Sequence, residues 1–127
     1  MKRVIVIEDE PNIVESLRFI LNQAGYEVAV ATDGDAAISL LEKIEASVVV
    51  LDVMLPKRNG FEVLKWIRDS AQLKTLPVLI LSAKGQQQDQ RTAEALGVDA
   101  FITKPFANRD VVDCINRLSE QRANSSE

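Results

Sequence analysis

Histidine is absent from this chain of 127 residues, and cysteine occurs once, at Cys114. Without histidine, imidazole general bases and imidazole metal ligands are excluded. A single cysteine rules out an intramolecular disulfide and fits a reducing compartment, where such a residue most often serves as a small packing element. Long apolar stretches are also missing, and no segment approaches the length that spans a bilayer. Met1-Lys2-Arg3 imitates the basic head of a signal peptide. The apolar run behind it, Val4 to Ile7, ends at three acidic residues and is too short for a secretory core. The expectation is a soluble, cytoplasmic protein without membrane association. A basic face is lacking too: the net charge is −4, with acids and bases mixed along the chain, which argues against direct nucleic-acid binding. Neither a P-loop nor a dinucleotide-binding glycine motif occurs, and no internal repeat is visible.

What is present suits one globular domain. Hydrophobic residues make up 46% and charged residues 27%, an ordinary balance for a folded chain. A chain of this length buries roughly two-thirds of its unfolded surface, so no metal or disulfide is needed to hold it together. Short apolar runs alternate with helical patterns. Val4-Ile5-Val6-Ile7, Val28 to Ala31, Val48 to Leu51, Val78 to Leu81 and Ala100-Phe101-Ile102 read as strands, the third being the richest in β-branched residues.

Between them lie five helices. The first carries Ile13, Val14, Leu17, Ile20 and Leu21 on one face, with Pro11 in its first turn and Gly25 at its end. The second opens at Asp33-Gly34 and carries Ala37, Leu40, Leu41 and Ile44. The third opens on Asn59, with Glu62 three residues on, and buries Phe61, Leu64 and Ile67. The fourth, about Gln86 to Leu96, is glutamine-rich and offers a core only Ala93, Leu96 and Ala95, which predicts a weakly anchored helix. The fifth carries Val111, Val112, Ile115 and Leu118, and the polar stretch from Ser119 is expected to fray. Five alternations predict a doubly wound α/β fold with a five-stranded parallel sheet. The flavodoxin-like order 2-1-3-4-5 accommodates the second strand, with its smaller residues, at an edge. Residues 1–120 form the predicted domain and 121–127 a polar C-terminal tail.

In open sheets of this kind sites form beyond the carboxyl ends of the strands. The first strand stops at Glu8-Asp9-Glu10, the third at Asp52, the fourth at Ser82 and the fifth at Thr103-Lys104. Parallel strands would bring these groups to one edge. Clustered carboxylates repel unless a cation sits among them, and all-oxygen ligands favour a hard ion such as Mg²⁺. Asp52 could then attack phosphorus as a carboxylate, with a hydroxyl and an ammonium holding the transferred oxygens. Simpler roles exist for each residue taken singly. The three acids also suit the start of the following helix, Ser82 suits a turn, and Lys104 suits solvent. Asp52 is the exception, because it ends the most apolar strand.

The segments Ile7-Glu8-Asp9-Glu10-Pro11, Leu51-Asp52-Val53-Met54-Leu55-Pro56 with Asn59-Gly60, Leu81-Ser82-Ala83 and Lys104-Pro105-Phe106 resemble the motifs of two-component response-regulator receiver domains, of the chemotaxis-regulator type. The resemblance runs from about Arg3 to Leu118. It implies a phosphorylation switch of a phosphorelay, in which Asp52 takes a phosphoryl group from a sensor histidine kinase or a histidine-containing phosphotransfer protein. It implies Mg²⁺ held by Asp9, Asp52 and the Met54 backbone carbonyl, with Glu8 acting through a coordinated water. Ser82 and Lys104 would bind the phosphoryl group. Phe101 would turn inward with Ser82 and reshape the face made by the fourth helix, fifth strand and fifth helix. The reader of that face would be a downstream output protein or a fused effector domain, and the chain a monomer or a phosphorylation-dependent dimer. No catalysis beyond its own phosphorylation and dephosphorylation is implied.

Some residues depart from the commonest pattern. Glu8 replaces a more frequent aspartate, and Lys57-Arg58 makes the loop after Asp52 basic, suggesting a dock for an acidic partner. Ala100 stands where the winged-helix transcription-factor class often carries an acid used in dimer contacts. Two other readings compete. An aspartate-nucleophile phosphatase of the haloacid-dehalogenase type needs a second aspartate two residues after the nucleophile, where this chain has Met54. A flavodoxin-like binding protein needs a hydroxyl-rich loop after its first strand, where this chain has three acids. At the rim, Met54 and Lys84 offer a hydrolytic water no acceptor, which predicts a slow loss of phosphate.

Overall fold

Five consecutive buried residues, Val48 to Asp52, form the central strand of a parallel sheet. The computed structural model describes residues 2–83 and 87–125, with side chains to 121. Its elements run β1 (Arg3–Ile7), α1 (Pro11–Gln23), β2 (Glu27–Ala31), α2 (Gly34–Lys43), β3 (Val48–Asp52), α3 (Gly60–Asp69), β4 (Val78–Ser82), α4 (Gln87–Ala95), β5 (Ala100–Thr103) and α5 (Asn108–Ser125). The strand order is β2-β1-β3-β4-β5, with every pair parallel, as the alternation predicted.

Side chains alternate across each strand, and the two faces are covered by different helices. Ile5, Ile7, Val49, Leu51, Val78 and Ile80 point toward Leu41 of α2, Val63, Leu64 and Ile67 of α3 and Ala93 of α4. Val4, Val6, Val48, Val50, Leu79 and Leu81 point toward Leu17 and Leu21 of α1 and toward Val111, Ile115 and Leu118 of α5. Complete burial of a Val, Leu or Ile side chain stabilises by about 1.5–3 kcal/mol, so these two layers supply the main driving force.

The helix starts follow from local chemistry. The Asp33 side chain accepts the Ala36 N–H at 2.7 Å, and that of Asn59 accepts the Glu62 N–H at 3.0 Å. Gly25, with φ +95°, ends the α1 turn in a conformation that side chains resist.

Several expectations need correction. In α3 Val63 is fully buried while Phe61 is only half-buried, because the helix turns its 63-64-67 face to the sheet. In α4 Ala93 alone is buried and Ala95 is exposed, which strengthens the reading of a weakly anchored helix; Gln86 lies outside the described residues. The polar stretch from Ser119, expected to fray, belongs to α5. The helix continues to Ser125, with Leu118 and Ser119 buried and the Tyr26 hydroxyl donating to Asn116 Oδ1 at 2.6 Å. Docking onto the α1–β2 corner holds α5 as far as Ser119. No described helix is long and apolar enough to cross a membrane.

Candidate functional site

Sheet register assembles the site. Ile7 pairs with Leu51, so the residues that follow them, Glu8 and Asp52, emerge side by side. Asp52 pairs with Leu81, and Ser82 with Thr103, which puts Lys104 just beyond the same edge. Gly60 lets α3 start directly above Asp52. A Cβ there would collide with the Asp52 carbonyl oxygen, and the Gly60 N–H donates to the Val53 carbonyl at 2.8 Å.

Glu8 is almost wholly buried and Asp52 is 5% exposed. Carboxylate oxygens of Glu8, Asp9 and Asp52 lie within 4.8 Å of one another. Lys104 Nζ donates to Glu8 Oε1 at 2.9 Å and to Asp52 Oδ1 at 3.2 Å. Glu8 Oε2 accepts the backbone N–H groups of Asp9 and Glu10 at 3.0 and 3.2 Å. Thus Glu8 serves the site rather than capping α1, and the side chain of Glu10, at the N-cap position, makes no capping bond.

Burial pushes the Glu8 carboxyl from an ordinary 4.5 up to about 7, and the neighbouring Asp52 carboxylate adds to the rise. The Lys104 hydrogen bond opposes the shift without cancelling it. For Lys104, burial alone would lower the pKa, but Glu8 and Asp52 outweigh it and the net shift is upward. The ammonium therefore stays charged and serves as the counter-ion of the two buried acids.

An open pocket of about 490 Å³ is lined by Glu8, Asp9, Glu10, Pro11, Asp52, Met54, Ala83 and Lys104. The Met54 side chain is 73% exposed at its rim. Three carboxylates this close, with no nitrogen or sulfur donor among them, match the donor set of a hard divalent cation.

Ser82 does not join this group in the structure. It is fully buried, and its hydroxyl faces the Ala83 carbonyl and Asp89 Oδ2, each at 3.4 Å. Asp89 was not singled out from the sequence, where an acid in the first turn of a polar helix was its only signal. Phe101 lies half-buried on β5, packed against the α2–α3–α4 layer. Lys84 lies outside the described residues. In the basic loop Arg58 Nε pairs with Asp35 at 2.7 Å and Lys57 lies 3.8 Å from Asp33, and both cations remain exposed to solvent.

A 2-1-3-4-5 parallel sheet with an acidic cluster and a lysine at its carboxyl edge defines a flavodoxin-like α/β domain whose strand-end groups suit a hard cation. Comparison with known proteins narrows it. The family model described as "Response regulator receiver domain" matches residues 4–116, so the chain belongs to that family and is a receiver domain of two-component response regulators. It is 42% identical over 129 residues to the alkaline phosphatase synthesis transcriptional regulatory protein PhoP of Bacillus subtilis, covering 99% of this chain and 53% of that protein. The chain thus spans about half the length of this curated relative. Among solved structures, the chemotaxis response regulator CheY4 of Vibrio cholerae is 30% identical with TM-score 0.86, covering 93% of this chain and 98% of that one. The Francisella response regulator 1452 receiver domain is 29% identical with TM-score 0.87, covering 95% and 98%. Nothing in these likenesses favours a phosphatase or a flavodoxin.

Proposed function

We propose that Asp52 is the phosphoacceptor of this receiver domain. The observation that carries the reading is a buried carboxylate at the end of β3, beside two further acids and in contact with Lys104. In the step, an Asp52 carboxylate oxygen attacks phosphorus and the bond from phosphorus to the donor's leaving atom breaks. The products are an acyl phosphate and the released donor, an imidazole when the donor is a phosphohistidine. Lys104, 3.2 Å from Asp52 Oδ1, exchanges part of its pairing with the acids for the phosphoryl oxygens, so the added negative charge meets a fixed cation.

Glu8, Asp9, Asp52 and the Met54 carbonyl are the groups that would hold Mg²⁺, which when bound supplies the positive charge that three acids and a phosphoryl group need. Ser82 would bind a further phosphoryl oxygen once its hydroxyl leaves its present partners, with Phe101 following into the space. The partners are a sensor histidine kinase or phosphotransfer protein, and an output domain or protein reading the α4–β5–α5 face, in the cytoplasm. Incubation with acetyl phosphate and Mg²⁺ should add the mass of one phosphoryl group, labile to alkali. Equal labelling of Asp52→Asn at the wild-type rate would refute the assignment.

A further inference from the structure

We propose that Asp89, in the first turn of α4, is a positioning residue that holds the Ser82 hydroxyl away from Asp52. Phosphorylation would then have to break this hold before Ser82 can bind the phosphoryl group. The inference rests on the phosphoacceptor reading above.

Three observations carry it. First, the Ser82 backbone is fixed: it pairs with Thr103, and its carbonyl accepts the Lys104 N–H at 2.6 Å. The freedom left to Ser82 is rotation about χ1 among staggered positions. Second, the hydroxyl is not idle in its present position. It faces Asp89 Oδ2 and the Ala83 carbonyl at 3.4 Å, and Ser82 is absent from the residues lining the acidic pocket. A hydroxyl has one proton to donate, so it serves Asp89 or a phosphoryl oxygen, never both. Third, the bond is long for O–H···O and therefore weak, and α4 buries only Ala93. A weak bond to a lightly anchored helix is one that a phosphoryl group can displace.

The consequence reaches past the site. When Ser82 turns to the phosphoryl group, Asp89 loses its side-chain link to β4, and the first turn of α4 is released at the same moment. Asp89 thus ties the occupancy of Asp52 to the helix at which an output would be read. A simpler role competes: an acid in the first turn favours the helix through its N-terminal partial charge, with no reference to Ser82.

A double-mutant cycle separates the two. Affinity for beryllofluoride, a phosphoryl mimic, is measured by calorimetry in Mg²⁺ for the wild type, Asp89→Ala, Ser82→Ala and the double variant. Asp89→Ala should bind roughly threefold tighter than the wild type, the equivalent of one weak hydrogen bond no longer competing. In the Ser82→Ala background the same substitution should leave the affinity unchanged. A gain of equal size in both backgrounds assigns the effect to helix or charge and overturns the proposal. So does an unchanged or weaker affinity of Asp89→Ala in the presence of Ser82. Failure of the underlying reading looks different: the wild type and Asp52→Asn would then bind the mimic alike, or neither would bind, and both readings fall together.

Discussion

Glu8 should make the metal-free protein lose stability as pH rises through neutrality, and the size of that loss follows from its burial. Its carboxyl sits at about 7 in the folded chain against 4.5 ordinarily. Between those values the folded state holds a proton that the unfolded state has released, so stability falls with rising pH across this window. Below it both states are protonated and above it both are ionised, so the loss levels off on either side. Holding a carboxyl that far up costs roughly 3 kcal/mol once it ionises. Lys104 does not offset this, because its upward shift acts only above 10.5.

Urea unfolding at pH 5 and pH 8 reads the effect, with Trp66, the single tryptophan, as the fluorescent reporter packed against the core. A loss of that size moves the midpoint down by about 1–3 M urea. Glu8→Gln is neutral throughout and nearly isosteric, so its midpoint should change much less between the two pH values. Saturating Mg²⁺ should restore the wild type at pH 8, by about 2.7 kcal/mol at a hundred times the dissociation constant, and restore Glu8→Gln less. Equal pH-dependent losses in wild type and variant would refute the reasoning, since the titrating group would then lie elsewhere.

Two further outcomes test the framework of the site. Gly60→Ala should destabilise by about 1–3 kcal/mol and slow labelling by acetyl phosphate, because the added Cβ pushes against the Asp52 carbonyl; urea unfolding and a mass time course measure both. Arg68 donates to the carbonyls of Lys74, Leu76 and Gly97 and to Asp99, which in turn accepts the Val78 N–H. Arg68→Ala should therefore cost about 2 kcal/mol in urea unfolding, and Arg68→Lys should recover little, since one ammonium cannot replace the planar fork.

The strands were legible because β3 and β4 are sandwiched between helices, so they read as unbroken apolar runs with no alternation to confuse them. Their polar ends were legible as a site for the same reason: once the strands are parallel, Glu8, Asp52, Ser82 and Lys104 must share an edge. The resemblance of the motifs at those ends to receiver domains pointed the same way, and the family match bears it out. Less was legible where packing, not pattern, decides. Phe61 and Val63 both suit a helical stripe, and only the tilt of α3 on the sheet chooses Val63 for burial. The stretch after Ser119 looked too polar to stay helical, yet α5 runs on to Ser125 beyond the turn that docks on Tyr26 and α1.

Composition and periodicity by themselves determined the element order, the fold class and the kind of chemistry the strand ends could support, since these depend on local propensity and on which side chains avoid water. Tertiary structure alone decided how those groups are paired. Lys104 meets Glu8 across 96 positions of sequence, Lys57 and Arg58 lie beside Asp33 and Asp35, and Ser82 turns to Asp89 rather than Asp52. Burial likewise set the Glu8 proton. A sequence records which residues exist and how far apart they lie along the chain. Charge pairing, hydroxyl direction and desolvation are fixed by distances through space, and those exist only once the sheet has closed its register.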